Sequence, residues 1–384
     1  MSANETVAYE VVPLTPIWTA GVKGCDRIHE TAIIGSLRFW YETVIRALGG
    51  QACSPIDKDY HRSPRGKKCG LETTRTGDIE KLCPACRMFG CTGWSRKFFL
   101  RVKKEPQIQR ITASTHHHKL KRTIKIPIGD FWGPLTVEFR FLKKCDPEER
   151  QILRFIWETL LAKYVGMGGK VAQGGGLFRV VNLKGKFIEA DEEKANEELK
   201  DWVARACQAV NAQWNDPDFE LNKALFREYS LEFSSQISSL LFHRNVCSNH
   251  EVQGESNIID LWGRYGVLPI AHEIRRAIRG TFTNQAKRHH VFGSTDRNGD
   301  EASHVSVSHC FREGNSGREV HFRVAYFLDD GFGMTDVNAI EKNLLNKSRL
   351  EGFLNPKGKA GLIQNLGMIS GKSRTGEDLL RDEL

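Results

Sequence analysis

The sequence predicts an α+β protein made of two tandem β-α-β-β-α-β domains, the ferredoxin-like order. Two stretches more than two hundred residues apart repeat one plan, in which a His-Glu pair opens a basic helix, a Phe-Gly turn follows, and a strand comes next. The pairs are His29-Glu30 and His272-Glu273, and the turns are 89–92 and 292–295. Because chance does not readily reproduce the same order of helix, turn and strand, we predict two related domains.

The first copy has the full set of predicted elements. Residues 8–14 alternate as a strand, apolar positions from Ile33 to Leu48 recur at helical spacing, and 97–102 and 135–142 have strand patterns. Asp146-Pro147 and Glu149 form a helix start, with a capping carboxylate, a proline at the first helical position and a glutamate at the third. That helix is expected to run to about Val165, before a last strand over 177–183.

The second copy follows the plan more loosely. Residues 189–220 carry 10 acidic and 3 basic residues around an amphipathic helix, which predicts a connection between domains. The elements expected beyond it are strand 229–235, helix 271–279, strands 304–309 and 319–328, and helix 336–345. The sequence does not indicate a last strand within 346–384. We therefore predict an N-terminal domain over 1–188, an acidic helical connection over 189–226 and a C-terminal domain over 227–384.

Charge is concentrated in the first part of the chain. Of 384 residues, 1–150 hold 26 Lys+Arg against 16 Asp+Glu, whereas 151–384 hold 30 against 31. Residues 58–125 alone hold 18 basic and 5 acidic residues. A positive field of this density favours a polyanionic partner, and nucleic acid is the usual one. A basic surface that serves only solubility is the alternative.

The compartment is predicted to be the cytoplasm. Residues 1–10 lack the apolar core of a signal peptide, and no run of about 18 apolar residues occurs, so we expect no membrane partner. Ten cysteines in a protein of this kind are expected to be reduced or metal-bound, not disulfide-linked.

A cysteine-rich insertion distinguishes the first copy. The His-Glu pair and the Phe-Gly turn are 60 positions apart in the first copy (His29 to Phe89) and 20 apart in the second (His272 to Phe292). The first copy therefore contains about 40 extra residues, at about 50–92. Two thiolates spaced as in 83–86 can reach one tetrahedral ion. Cys91 corresponds to Ser294 of the second copy, which indicates a turn residue. We predict a structural zinc site with four ligands, Cys53, Cys69, Cys83 and Cys86. Cys91 or His61 is the alternative if one of these four is not a ligand.

A glycine-rich loop over 166–176 contains six glycines and Lys170. Glycines allow backbone amides to approach phosphate oxygens closely, and the lysine adds charge. The loop follows a helix and precedes a strand, the reverse of a dinucleotide-binding turn. A flexible helix-to-strand connection is the alternative to an RNA-contacting loop.

These features together resemble the RAMP superfamily of CRISPR proteins. Within this superfamily, the chain resembles subunit one of the Cmr (type III-B) effector complex, and the resemblance lies in residues 14–21, 29–41 and 83–94. The resemblance covers roughly 1–185 and is weaker over 227–384. It implies a non-catalytic protein in a multi-subunit complex, which contacts CRISPR RNA in its 3′ region and/or target RNA in antiviral defence and has no small-molecule substrate. It also implies that the glycine-rich loop, especially Lys170 to Gln173, contacts RNA.

Basic side chains near the two His-Glu helices complete the predicted interface. Arginines spaced by three and four residues share a helix face that suits a phosphate track, although a solvated face is the alternative. The expected RNA-binding residues are Lys23, Arg27, His29, Arg38, Gly168, Gly169, Lys170, Gln173, Gly174, His272, Arg275, Arg276 and Arg279.

Two other functions remain open. One is a RAMP endoribonuclease that processes CRISPR RNA, with Asp26, His29 or His272 as the general base. No His-Tyr-Lys constellation is evident, and we expect no catalytic residues. A generic RNA chaperone is the other.

Overall fold

The structure, a computed structural model, describes residues 5–19, 27–53, 69, 76–103, 109–117, 122–131, 133–210, 219–253, 257–296, 299–301, 303–355 and 361–384. It is a mixed helix and sheet protein, so the predicted α+β class is confirmed. The described residues contain no helix that is long and apolar enough to cross a membrane. Of the residues named in the sequence analysis, Lys23, Asp26 and His61 lie outside the described residues.

The elements of the first half largely follow the predicted order. The strands are β1 (Thr6–Pro13), β2 (Phe98–Lys103), β3 (Gln109–His117), β4 (Arg122–Phe131), β5 (Leu135–Phe141) and β6 (Phe178–Lys184). The helices are α1 (Glu30–Ala47), α2 (Pro84–Phe89) and α3 (Pro147–Phe155), which continues as a π-helix over Ile156–Val165.

The first sheet has the strand order β2-β5-β1-β6, and all its pairs are antiparallel. Helices α1 and α3 form the two crossovers, so the chain order is β-α-β-β-α-β. Alternation on β1 puts Val7, Tyr9 and Val11 in the core, because successive strand residues face opposite sides. At the start of α3, the Asp146 N–H donates to the Glu149 carboxylate over 3.0 Å, as the predicted cap requires.

The rest of the chain contains elements at the predicted helices and strands, and it adds shorter ones that the sequence pattern did not show. Its strands are β7 (Ala224–Phe233), β8 (His250–Gln253), β9 (Val267–Leu268), β10 (Ser294–Asp296), β11 (Gly299–Glu301), β12 (Val305–Val307), β13 (Cys310–Phe311), β14 (Glu319–Phe327), β15 (Ile363–Met368) and β16 (Arg374–Thr375). Its helices are α4 (Asn196–Cys207), α5 (Ile237–Phe242), α6 (Ile258–Tyr265), α7 (Ala271–Arg279), α8 (Gln285–Phe292), α9 (Met334–Leu344), α10 (Lys347–Leu354) and α11 (Gly376–Asp382).

The second sheet contains the strand that the sequence did not indicate. Its order is β15-β7-β14-β13-β9, with β12 also on β14 and β16 also on β7. Strand β15 therefore holds the position beside β7 that β6 holds beside β1, and residues 346–384 supply the missing strand. A third sheet, β4-β3-β8, joins a hairpin of the first half to a short strand of the second.

The two halves share part of their core. One buried cluster is centred on the first sheet but includes Ala224, Phe226 and Phe327 from the second half. Trp40 of α1 lies 5.5 Å from Phe327 and 6.3 Å from Phe226 between ring centroids. A separate cluster fills the space between the second sheet and α7, α9 and α10. The contact surface between the halves, called the seam below, is therefore packed with aromatic side chains.

Candidate nucleic-acid interface and cysteine cluster

The glycine-rich loop runs from the end of the π-helix to β6 and depends on its glycines. Gly168 and Gly174 have φ angles of +88° and +115°, in the region that side chains disfavour. A Cβ at Gly168 would lie 2.6 Å from the Trp18 carbonyl oxygen, and one at Gly174 would lie 2.5 Å from the Ala271 Cβ. The loop backbone thus approaches both halves more closely than any other residue type permits.

Hydrogen bonds from both halves hold this loop. On the first-half side, the Gly169 N–H donates to the Trp18 carbonyl over 2.7 Å, and the Gly168 N–H donates to Ser36 Oγ over 3.0 Å. On the second-half side, Ser306 Oγ donates to the Val171 carbonyl over 3.0 Å, and the His309 N–H donates to the Gly174 carbonyl over 2.9 Å. The loop therefore crosses the seam and is fixed by hydrogen bonds to both halves.

The outer part of the loop presents a cation, an aromatic ring and an exposed amide. Lys170 adopts a left-handed backbone conformation with φ +58°, and its Nζ lies 3.8 Å from the centroid of the Trp18 ring. Both side chains are half-buried, while Gln173 is exposed. A cation above a tryptophan gives a surface that can accept a phosphate and a stacked base side by side.

A cavity of about 410 Å³ opens beneath the loop, between α1 and the second half. Its walls include Phe39, Trp40, Phe219 and Phe327, together with the backbone of Gly168 and Gly169. The hydroxyl-bearing residues Ser36, Ser303 and Ser306 supply polar groups among these rings. A mostly apolar pocket with a few polar groups is the usual form of a site for a flat, hydrogen-bonding ligand.

The predicted RNA-binding residues of α7 have different surroundings: two arginines face solvent, and one points into the protein. Arg276 and Arg279 are exposed, three residues apart on one face. Arg275 instead points inwards and donates to the carbonyls of Ala172 (3.0 Å) and Phe292 (2.8 Å), and burial lowers its pKa to about 10. Its guanidinium therefore secures the glycine-rich loop. Burial also lowers the pKa of His272, which is half-buried.

The predicted residues at the start of α1 also differ in their surroundings. Arg27 is exposed and pairs with Glu30 at 2.9 Å. His29 is the residue before the helix, and its backbone N–H donates to Thr19 Oγ1 over 3.0 Å. Arg38 extends towards the cysteines, where it donates to Cys86 Sγ (3.1 Å) and the Gly90 carbonyl (2.9 Å). The structure thus places Arg27 and His29 away from the cysteine cluster and Arg38 against it.

The four predicted cysteines converge. Cys53, Cys69, Cys83 and Cys86 each offer a sulfur atom, and these atoms all lie within 4.8 Å of one another. Cys83 is the residue before α2, with Pro84 at the first helical position, so that the first turn of α2 brings Cys86 to the same point. Cys91 is not a member of this group; it forms an isolated bridge with Trp94 beyond α2.

The geometry of the sulfur atoms fits a tetrahedral thiolate site. Cys53 Sγ lies 3.7 Å from Cys83 Sγ and 3.3 Å from Cys86 Sγ, whereas sulfurs at zinc–thiolate distance in a tetrahedron are about 3.8 Å apart. None of the four is in a disulfide. The Cys83 N–H donates to Cys69 Sγ over 3.3 Å, and Arg38 adds positive charge, so the surroundings favour thiolates.

Several residues of the seam were not predicted from the sequence. Phe219 lies in the acidic connection, and Ser306 and His309 lie in a segment predicted only as a strand. The repeated plan of the second copy gave the one indication of this segment, because it predicts a strand after the Phe-Gly turn. Without the register of that strand, no sequence pattern indicates which of its side chains meet the loop.

Residues 10–179 match the model of the RAMP superfamily. Among solved structures, the chain is similar to Cmr1 from Pyrococcus furiosus in its apo form, at 10% identity over 88% of this chain and 96% of that chain, with a TM-score of 0.39. It is also similar to a chain of the Type III-B Cmr-beta complex bound to cognate target RNA, at 9% identity over 91% and 100%, with a TM-score of 0.41. No curated protein matches the chain.

Proposed function

We propose that the chain is a non-catalytic RNA-binding subunit of a type III-B (Cmr) CRISPR effector complex, and the match of residues 10–179 to the model of the RAMP superfamily supports this proposal. Its partners would be CRISPR RNA in its 3′ region and/or target RNA, together with other subunits of the complex. The motifs over 14–21, 29–41 and 83–94 support this assignment, as does the basic first part of the chain.

The observation that carries the proposal is the position of the glycine-rich loop. It lies within the matched segment, is held by hydrogen bonds from both halves, and bounds the aromatic cavity. Lys170 and Trp18 at the loop would contact a phosphate and a base, and Arg276 and Arg279 would extend the phosphate track. This arrangement suits single-stranded RNA, whose bases are free to stack.

A salt titration with single-stranded RNA tests the proposal. The purified chain and labelled RNA of about 40 nucleotides should bind with an affinity that falls steeply as salt rises. Lys170→Asn keeps a residue that tolerates the left-handed backbone and should reduce the salt slope by about 0.7. Trp18→Ala should weaken binding by about 1–3 kcal/mol through lost stacking.

The control is Lys186→Asn, because Lys186 is an exposed lysine beyond β6 that pairs with Glu189 at 2.7 Å. It should bind RNA as the unaltered chain does. Equal binding by Lys170→Asn and Lys186→Asn would remove the loop from the interface. Discrete cleavage products in the same tube would favour the endoribonuclease alternative, and His29→Ala and His272→Ala would then be tested.

We also propose that the cysteine cluster holds one structural zinc ion. Four protein ligands leave no position for substrate, so the ion would fasten the residues after α1 to α2 and the segment before it. Arg38 and the Cys83 N–H would stabilise the thiolates around it. The first domain would therefore comprise 1–188 with this zinc-binding insertion, the connection 189–226, and the second domain 227–384.

Metal analysis of the full chain tests the zinc site. Cys86→Ser should lose one equivalent of zinc relative to the unaltered chain and lower the melting temperature by about 2–3 °C, which corresponds to a loss of about 2 kcal/mol in a cooperative unit of this length. Cys91→Ser is the matched control, since Cys91 is nearby but outside the cluster, and it should keep its zinc. Equal zinc content in the two variants would contradict the ligand set.

A further inference from the structure

A second group of metal-ligating side chains lies in the other half of the molecule. His290 is near the end of α8, His304 directly precedes β12, and Asp329 follows β14. Their ligand atoms lie within 4.8 Å of one another. The Asp329 carboxylate oxygen Oδ2 is 3.0 Å from His290 Nε2 and 3.5 Å from His304 Nε2. Ligand atoms around a tetrahedral zinc ion with nitrogen and oxygen donors are about 3.3 Å apart.

The orientation of His304 is fixed by two contacts. Its Nδ1 lies 3.0 Å from the Phe327 carbonyl oxygen, which can only accept, so Nδ1 carries the proton and Nε2 presents a lone pair. Phe219 stacks against its ring, with centroids 5.5 Å apart and planes at 19°. A backbone carbonyl that accepts from the second ring nitrogen is the partner that metal-bound histidines usually have.

The lone pair of His304 Nε2 faces the Asp329 carboxylate, and the His290 ring, whose centroid lies 4.8 Å from that of His304, contacts the same carboxylate through its Nε2. The ammonium of Lys287 donates to the Gly331 carbonyl and pairs with Asp336 at 2.8 Å, a carboxylate outside this group. One shared divalent cation would be bound by both histidines and the aspartate together.

The surrounding backbone is shaped to bring these groups together. The Gly331 N–H donates to Asp329 Oδ1 over 2.9 Å and fixes the carboxylate. A Cβ at Gly331 would lie 2.5 Å from His290 Nε2, so only glycine allows the imidazole to approach. The His290 side chain is 38% exposed, while those of His304 and Asp329 are 8% and 13% exposed. The group is therefore preformed on the inside and open to solvent on one side.

We propose that His290, His304 and Asp329 bind a divalent transition-metal ion of the zinc class, with water at the remaining position. Two imidazoles and one carboxylate suit zinc and the cobalt ion that substitutes for it. The ion would tie α8 to the turn after β14, and through Phe219 it would brace the wall of the aromatic cavity. The site shares no ligand with the cysteine cluster, and metal binding there can be measured without RNA.

The test uses Co²⁺ as the probe on the full chain, after dialysis against a mild chelator that leaves the buried thiolates loaded. One equivalent of Co²⁺ should bind with visible d–d bands and without a thiolate charge-transfer band. His290→Gln and Asp329→Asn should each weaken this binding at least about 10-fold. His289→Gln, which removes the neighbouring imidazole on the same helix, should bind as the unaltered chain does.

Gly331→Ala provides a second variant that keeps all three donors but crowds His290. It should also weaken Co²⁺ binding, and circular dichroism should show that each variant is folded. The absence of a saturable d–d band would overturn the proposal. So would equal affinity in His290→Gln and His289→Gln, or Co²⁺ that appears only with a thiolate charge-transfer band.

Discussion

At the scale of single residues, Glu228 is a buried charge that several partners surround. Glu228 of β7 is 3% exposed and accepts hydrogen bonds of 2.9 Å each from His321 Nδ1, Arg323 Nε and Lys372 Nζ. Burial by itself would raise the pKa of Glu228, but these three partners together hold it well below its usual range. The carboxylate thus organises the surface between β7, β14 and the chain after β15.

We predict that Glu228→Gln lowers the free energy of unfolding by about 3 kcal/mol at pH 7, because it leaves the guanidinium of Arg323, whose side chain is 15% exposed, without its counter-charge. A carboxyl whose folded pKa is lowered stabilises the protein above its unfolded pKa, near 4.3, and loses that contribution as pH falls through the folded pKa. Urea unfolding should therefore show a difference between the two proteins that shrinks below about pH 4.

Glu319→Gln is the matched control for this prediction. Glu319 lies on β14, the strand of His321, and is 3.6 Å from His321 Nε2, but its side chain is 41% exposed. An exposed pair of this kind contributes at most about 1 kcal/mol. If Glu319→Gln destabilised the protein as much as Glu228→Gln, the burial of Glu228 would not be the cause.

At the scale of elements, the glycine-rich loop shows how hydrogen bonding gives order to a segment whose composition indicates flexibility. The amides of Met167, Gly169 and Gly176 donate to carbonyls of the loop or of residues 16–18. Arg275 reaches the loop from α7 through the Ala172 carbonyl. Amides in such bonds exchange slowly with solvent, whereas those of a flexible connection exchange at once.

We predict that peptides covering 166–176 are protected in hydrogen–deuterium exchange, and that Arg275→Lys reduces the protection there. Lysine cannot make the forked contacts that Arg275 makes to Ala172 and Phe292, so the loop loses part of its anchor. Arg276→Lys is the control, since Arg276 is exposed on the same helix. Rapid exchange of the loop in the unaltered chain would show that it is a flexible connection.

Helices and strands with a clear pattern of apolar residues in the sequence could be predicted, and those without one could not. Helix α7 was predicted at its observed bounds because Ile274, Ala277 and Ile278 mark one apolar face. The repeat reduced the candidate zinc ligands to four cysteines, because Cys91 aligns with a serine of the second copy, and the structure brings those four cysteines together. Strand β15 was missed because its sequence, IQNLGM, buries only two side chains and depends on pairing with β7.

The hairpin β3–β4 and the role of Arg38 were missed for a related reason. The hairpin lies in the basic segment between the strands predicted over 97–102 and 135–142, where the sequence pattern indicated no strand, and its pairing with β8 comes from the second half. Helical spacing placed Arg38 on a face but gave no information about which neighbour that face meets. Such contacts between distant segments follow from tertiary packing, which a single sequence does not display.

At the scale of the whole molecule, the seam joins the two halves into one structure. Trp40 of α1 packs on Phe226 and Phe327 of the second half, and it is only 6% exposed. Tyr164 of the π-helix adds a contact to Phe226, with ring centroids 5.1 Å apart. Since an apolar seam of this kind is lost when either half unfolds, each half stabilises the other.

We predict that the full chain unfolds in one cooperative transition, in which probes of the two halves coincide, and that Trp40→Ala separates the transitions. Truncation of a buried tryptophan typically costs about 3–5 kcal/mol, and here the loss falls on the contact between the halves. Hydrogen exchange at increasing urea, followed in β1 and β7, measures both halves in one experiment.

Phe99→Ala is the control, because Phe99 is 52% exposed and should have little effect. Two separate transitions in the unaltered chain would show that the seam contributes little and that the halves are energetically independent.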